Sequence, residues 1–343
     1  MSLPGLLALV LGVSLTAYAL FAGADFGAGI LDLLAGRRDR DRTAIETAIG
    51  PLWEANHVWL IFAVTVLFSA FPAAFSTLGT MLLAPLTVAL LAIVVRGAAF
   101  GLRSTVDPGT RGHALLSRLF GTASVVAPLA FGSVAGGVAV ASHPGGAAVA
   151  SRPGAARIGG VPPIPWTGTF AVAIGALAVC LCAQLAAAFV AARLARAGET
   201  PLLARFRARG LQAGGAVLAL SLAALGVAGS ASPALFRRLT GPALPLVLFG
   251  LVAAALSLLA LARCRYRLAR AASLLTGAAL VWGWLVAQSP RLIGARLTIH
   301  TAAATPPALT AVAIACGVVL LGVLPALYVL FVVFARLRPG VLE

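Results

Sequence analysis

The sequence predicts an all-α integral membrane protein with about nine transmembrane helices, its N-terminus outside and its C-terminus cytoplasmic. Three observations carry that reading. The 343 residues are 61% hydrophobic and 10% charged, with a mean hydropathy of +1.04, the composition of a polytopic membrane chain. Nine apolar runs approach the ~20 residues that a helix needs to cross ~30 Å of hydrocarbon. All 25 basic residues are arginine; eighteen lie in the odd-numbered loops and the C-terminal tail, six in the even-numbered loops and one inside the third run. Arginine excess marks the cytoplasmic side, and an odd number of crossings agrees with ends on opposite sides.

The runs cover residues 3–34, 52–71, 79–101, 119–141, 166–192, 211–229, 243–262, 271–288 and 307–334. The first has no basic segment before it, so it reads as a retained helix rather than a cleaved signal. The second opens just after Pro51, a favoured first-turn residue. Pro85, Pro128 and Pro325 fall inside runs, as membrane helices tolerate. Residues 142–165 are rich in Gly, Ala and Pro and read as a flexible outside loop. Residues 289–343 supply an outside loop, the final helix and a cytoplasmic tail. No repeat between the two halves is visible in the residues, and no P-loop or dinucleotide fingerprint is present. The net charge of +16 is explained by orientation, so no nucleic-acid partner is expected. Cys180, Cys182, Cys264 and Cys316 lack metal or redox spacing and read as small hydrophobes.

The chemistry-bearing residues cluster early. Asp25 lies about ten residues before the cytoplasmic end of the first run, ~15 Å deep at 1.5 Å per residue. A charge at mid-bilayer costs at least ~3 kcal/mol, so a deep carboxyl surrounded by Gly23, Ala24, Gly27, Ala28 and Gly29 points to tight packing over a proton carrier. Asp32 lies two turns nearer the cytoplasm on nearly the same face. Glu54 is expected in the first turn of the second helix, ~5 Å in. Arg96 lies near the cytoplasmic end of the third run. Acids outnumber the base, leaving protons or waters to share. The plainer alternatives are a snorkelling or paired Asp32 and Arg96, and a Glu54 that serves only the helix dipole. Glu54 and His57 form one ExxH pair. A di-metal bundle site needs two such pairs and two further Glu, so no metal site is predicted.

The stretches GADFGAG (Gly23–Gly29), IGPLWEANHVWLI (Ile49–Ile61), VVRGAAFGLR (Val94–Arg103) and RLTIHTAAATPPAL (Arg296–Leu309) resemble subunit II of cytochrome bd-type quinol oxidases across the whole chain. The resemblance implies two four-helix bundles, 1–141 with the acidic cluster and 166–288, plus a peripheral helix. It implies a haem-bearing subunit I as partner, with haem and quinone in the complex and the catalytic centre on that partner. Quinol and oxygen would be met through the complex, in a bacterial or archaeal plasma membrane. It further implies a non-redox or haem-poor role here, with Asp25 and Glu54 on a cytoplasmic proton path. Asp32, Asn56, His57 and Arg96 are then supporting or charge partners, and Trp53 and Trp59 shape a helix interface. Glu54, Ala55 and His57 depart from the family pattern and mark a divergent branch. The alternatives are a proton-coupled secondary transporter and a purely structural assembly subunit.

Overall fold

The computed structural model describes residues 2–35, 39–103, 105–107, 109–143 and 164–337; the side chains of residues 39, 50–55 and 330–337 fall outside that description. The predicted outside loop at 142–165 therefore lies almost wholly outside the described residues. The elements are α1 Leu3–Ala35, α2 Asp39–Ala70, α3 Pro72–Met81, α4 Leu83–Arg103, α5 Arg111–Ala141, α6 Thr169–Ala197, α7 Thr200–Ala231, α8 Pro233–Leu239, α9 Leu244–Ala262, α10 Tyr266–Gln288, β1 Arg291–Ile293, β2 Leu297–Thr298 and α11 Pro306–Leu337. Among the described residues eight helices are long and apolar enough to cross a membrane, and nine spans result when α2 and α3 count as one broken span. The chain is a multi-pass membrane protein.

The largest departure from expectation is at α2. It starts at Asp39, not at residue 52, and Glu54 lies well inside it rather than in its first turn. Hydropathy misses the extension because Asp39, Arg40, Asp41, Arg42 and Glu46 are polar. The extension is nonetheless amphipathic: Ala44, Ile45, Ala48 and Ile49 are buried in one cluster with Leu194, Leu202 and Phe206, a helical stripe facing the core. At its other end α2 stops at Phe71, and α3 departs at 115°. Pro72, at the start of α3, has no N–H for a continued helix and is well placed in a first turn.

Two helices form the centre. Helix α1 packs on α2, α5, α6, α10 and α11, and α6 packs on α1, α2, α5, α7 and α10. Small residues make the approach possible. A Cβ on Gly27 would fall 1.9 Å from the Cys182 carbonyl oxygen, and one on Gly175 would fall 2.6 Å from that of Leu129. The final helix α11 lies against α2 and α1, tied by the Ala304 N–H donating to the Ala70 carbonyl at 2.9 Å. Before it, β1 and β2 pair antiparallel around Gly294, whose φ of +59° suits glycine. The apolar reading of 289–306 as plain loop did not foresee this hairpin.

A repeat hidden in the residues appears in the elements. Helices α2 and α7 are each 32 residues long. Each is followed, after a single residue, by a short helix opening on proline, Pro72 in α3 and Pro233 in α8. Two long helices then follow in each half, α4 and α5 or α9 and α10.

Candidate functional site: a chain of buried ion pairs

Four helices meet at Asp25. From α4, Arg96 presents its guanidinium edge: Nη2 donates to Asp25 Oδ1 at 2.5 Å and Nη1 to Oδ2 at 2.7 Å. Nη2 also donates to the Asp25 carbonyl at 3.0 Å, and Nε to Ser124 Oγ of α5 at 2.8 Å. From α2, Asn56 Nδ2 donates to Asp25 Oδ2 at 2.8 Å. Phe26 and Phe120 lie 5.2 and 4.9 Å from the guanidinium carbon, adding cation–π attraction. Asp25 and Arg96 are each only 4% exposed. Two parallel charge-assisted bonds are the strongest neutralisation a carboxylate finds in protein.

Two turns along α1, a second pair repeats the first. Arg103, the last residue of α4, donates from Nη1 to Asp32 Oδ2 at 2.7 Å and from Nη2 to Glu46 Oε1 of α2 at 2.5 Å. Arg42 Nε stands 2.9 Å from the other Asp32 oxygen. Phe120 lies 5.2 Å from Arg103 as well, so one ring serves both guanidinium groups. Asp32 follows Asp25 by seven residues and Arg103 follows Arg96 by seven. Seven residues are close to two helical turns, so the two pairs stack along facing stripes of α1 and α4.

A single cavity joins these groups. It is lined by Asp25, Asp32, Arg42, Glu46, Arg96 and Arg103, with Ala28, Ile45, Ile49, Phe100 and Phe120 as apolar walls. The cavity has a volume of ≈ 80 Å³, against the ~10–15 Å³ that one water requires. Several waters fit. Side-chain exposure falls from 51% at Glu46 to 8% at Arg103 and 4% at Asp32, so the cavity runs from surface to interior.

The sequence-predicted residues divide accordingly. Asp25, Asn56 and Arg96 come together, and Asp32 joins the same cavity. His57 is exposed on α2, away from the cavity lining. Trp59 is buried, its ring edge-to-face with Phe62 at 6.5 Å. The side chains of Trp53 and Glu54 lie outside the described residues. The expected surplus of acid is not found in the described cavity, because Arg42 and Arg103 join Arg96 in facing Asp25, Asp32 and Glu46. Sequence reasoning assigned Arg42, Glu46 and Arg103 to loops. The shared seven-residue spacing was the signal that could have found Arg103.

The second half holds a neutral counterpart. Gln184 of α6, fully buried, donates from Nε2 to Ser257 Oγ of α9 at 3.1 Å, and Ser257 and Ser273 of α10 share a hydrogen bond of 2.8 Å. Gly214 of α7 completes the contact, its Cβ position 3.2 Å from the Gln184 amide nitrogen.

These features define a helical membrane protein with an ion-paired interior cavity among its first four long helices. Residues 3–334 match the family described as cytochrome bd terminal oxidase subunit II, and the chain belongs to that family. It is 34% identical over 106 residues, 31% of either chain, to cytochrome bd ubiquinol oxidase subunit 2 of Bacillus subtilis. It is 32% identical over 128 residues, 37% of this chain and 34% of the relative, to cytochrome bd-I ubiquinol oxidase subunit 2 of Escherichia coli. The aligned part thus spans about a third of the length of these curated relatives. The fold is that of a chain in the bd oxidase structure from Geobacillus thermodenitrificans, with a TM-score of 0.75 at 19% identity, covering 97% of this chain and 99% of that one.

Proposed function

We propose that the chain is the haem-poor, non-redox subunit of a quinol:oxygen oxidoreductase. It supports a haem-bearing subunit I and contributes part of a cytoplasmic proton path through Asp25 and Glu54. The observation that carries this reading is the cavity that connects exposed Glu46 with buried Asp25, with room for a water chain between them. The names of the relatives support the oxidase assignment, and the arginine asymmetry supports placing the cavity mouth in the cytoplasm. Residues 1–141 and 166–288 are read as two four-helix bundles and α11 as the peripheral helix. The membrane is read as a bacterial or archaeal plasma membrane.

Haem and quinone belong to the complex in this reading. The described histidines do not form an interior haem site. Buried His143 places its two ring nitrogens 2.7 and 3.2 Å from the carbonyls of Ala139 and Ala287. His57 and His300 are exposed, and His113 is half-buried in the first turn of α5.

A purely structural role has one observation in its favour, the two-pronged Asp25–Arg96 pair. Against it stands the neutral Gln184 node, which joins four helices without any charge. Buried ion pairs are also poor stabilisers compared with apolar groups of similar volume.

The test is Asp25→Asn in the intact complex. Assembly with the partner should persist and oxygen consumption should fall on the order of 10²-fold, the lower end for a positioned proton-transfer group. Full activity in the assembled variant at neutral pH would refute the proton path.

A further inference from the structure

The path from solvent to Asp25 needs a mouth, and the geometry points to one. We propose that Glu46, held by Arg103 against Asp32, is the cytoplasmic proton-collecting group of this chain. The inference rests on the proton-path reading above and adds residues to it.

Glu46 is the one half-exposed carboxylate among the groups that line the cavity. It is not a loose surface acid. Arg103 Nη2 donates to its Oε1 at 2.5 Å while Nη1 of the same guanidinium donates to Asp32 Oδ2. Arg103 is almost fully buried, with Phe100 and Phe120 5.8 and 5.2 Å from its guanidinium carbon. The guanidinium therefore stays fixed while the Glu46 carboxylate can swing between it and water. Asp32 and Arg42, at 2.9 Å from each other, form the opposite wall. Asp32 to Asp25 is seven residues of α1, about 10 Å at 1.5 Å per residue, too far for direct transfer and spanned by the same cavity, which has room for water. Glu46 takes one proton from a solvent hydronium ion, releasing water. It then passes that proton to cavity water and returns to the carboxylate form beside Arg103.

A collecting group matters most where hydronium is scarce. Glu46→Gln keeps the shape and the acceptor oxygen for Arg103 but cannot cycle a proton. In the purified complex, oxygen consumption by this variant should match the unaltered enzyme near pH ~6 and fall on the order of tenfold near pH ~8. That is less than the ~10²–10⁴ of an obligatory acid–base group, because solvent still reaches the open cavity. Glu46→Asp should restore most of the rate at the higher pH. Glu46→Gln matching the unaltered enzyme at both pH values, with Asp25→Asn slow, would overturn the collecting role and leave the path intact. An equal slowing of Glu46→Gln at both pH values, not rescued by Glu46→Asp, would overturn it in favour of packing. Full activity of Asp25→Asn would remove the path and this inference together.

Discussion

Removing one partner from the Asp25–Arg96 pair separates charge balance from packing. In Arg96→Met the Asp25 carboxylate keeps only the Asn56 amide and remains 4% exposed. In Asp25→Asn the guanidinium keeps Ser124, the backbone carbonyl of residue 25 and one side-chain carbonyl acceptor, but loses its counter-ion. Each leaves one buried charge without its counter-ion, which costs about 3–5 kcal/mol. The double variant Asp25→Asn/Arg96→Met carries no buried charge. Met occupies the slot between Phe26 and Phe120, and the Asn carbonyl can still accept from Asn56. Its cost should be well below the sum of the singles, with a coupling energy of ~3 kcal/mol, the upper range for contacting residues. The assay is detergent-driven unfolding of the complex in mixed micelles, followed by circular dichroism. The neutral Gln184 node in the second half is the reason to expect the double variant to fold. A double variant as damaged as the sum of the singles would refute the view that the pair acts by mutual neutralisation.

Other outcomes follow from single sites. Gly27→Ala must push α1 from α6, because its Cβ would meet the Cys182 carbonyl at 1.9 Å; a loss of about 1–3 kcal/mol is expected from overpacking, read by the same unfolding assay. Gln184→Leu should be neutral or stabilising within about 1 kcal/mol, because the Gln184 carbonyl oxygen finds no partner among the described residues and the two serines retain one another. Burial holds His143 below the ordinary imidazole value of 6.5, with Arg291 and Arg238 adding to the effect and the carbonyls of Ala139 and Ala287 opposing it. The unfolded chain then binds the proton first. Stability from this site is intact above about pH 6.5 and is lost as pH falls below that value. Protection of the amides at the ends of α5 and α10, corrected for the intrinsic pH dependence of exchange, should fall as pH drops below about 6.5, and unchanged protection would count against the site.

Hydropathy read the spans well because it reports hydrocarbon thickness. It read the helices less well, because a helix does not stop where the hydrocarbon does. Near the start of α2, Arg40 and Glu46 are exposed while Asp41 is buried on the same stripe as Ala44, Ile45, Ala48 and Ile49, and only the tertiary burial of that stripe reveals the segment as helix. That error hid Arg42 and Glu46, and counting Arg103 as a loop charge hid its pair with Asp32. Asp25 and Asp32 were legible from cost alone, since a deep carboxylate demands a reason. Their partners were not, because each lies 71 residues away, a separation fixed by how α4 lies in the fold.

The matched order of elements in the two halves has a symmetry consequence. With α2 and α3 taken as one span, each half runs through the same order of elements, a long helix, a broken helix and two further long helices. An even number of spans per half would start α1 and α6 from the same side, as in a repeat related by rotation rather than by inversion. The first helix of each half meets the other at the centre, Gly27 against Cys182, where such an axis would run. This is the layout of two copies of one unit fused into a single chain. Among the described residues the node of the first half is charged and that of the second is amide and hydroxyl, so the matched elements of the two halves carry different electrostatics.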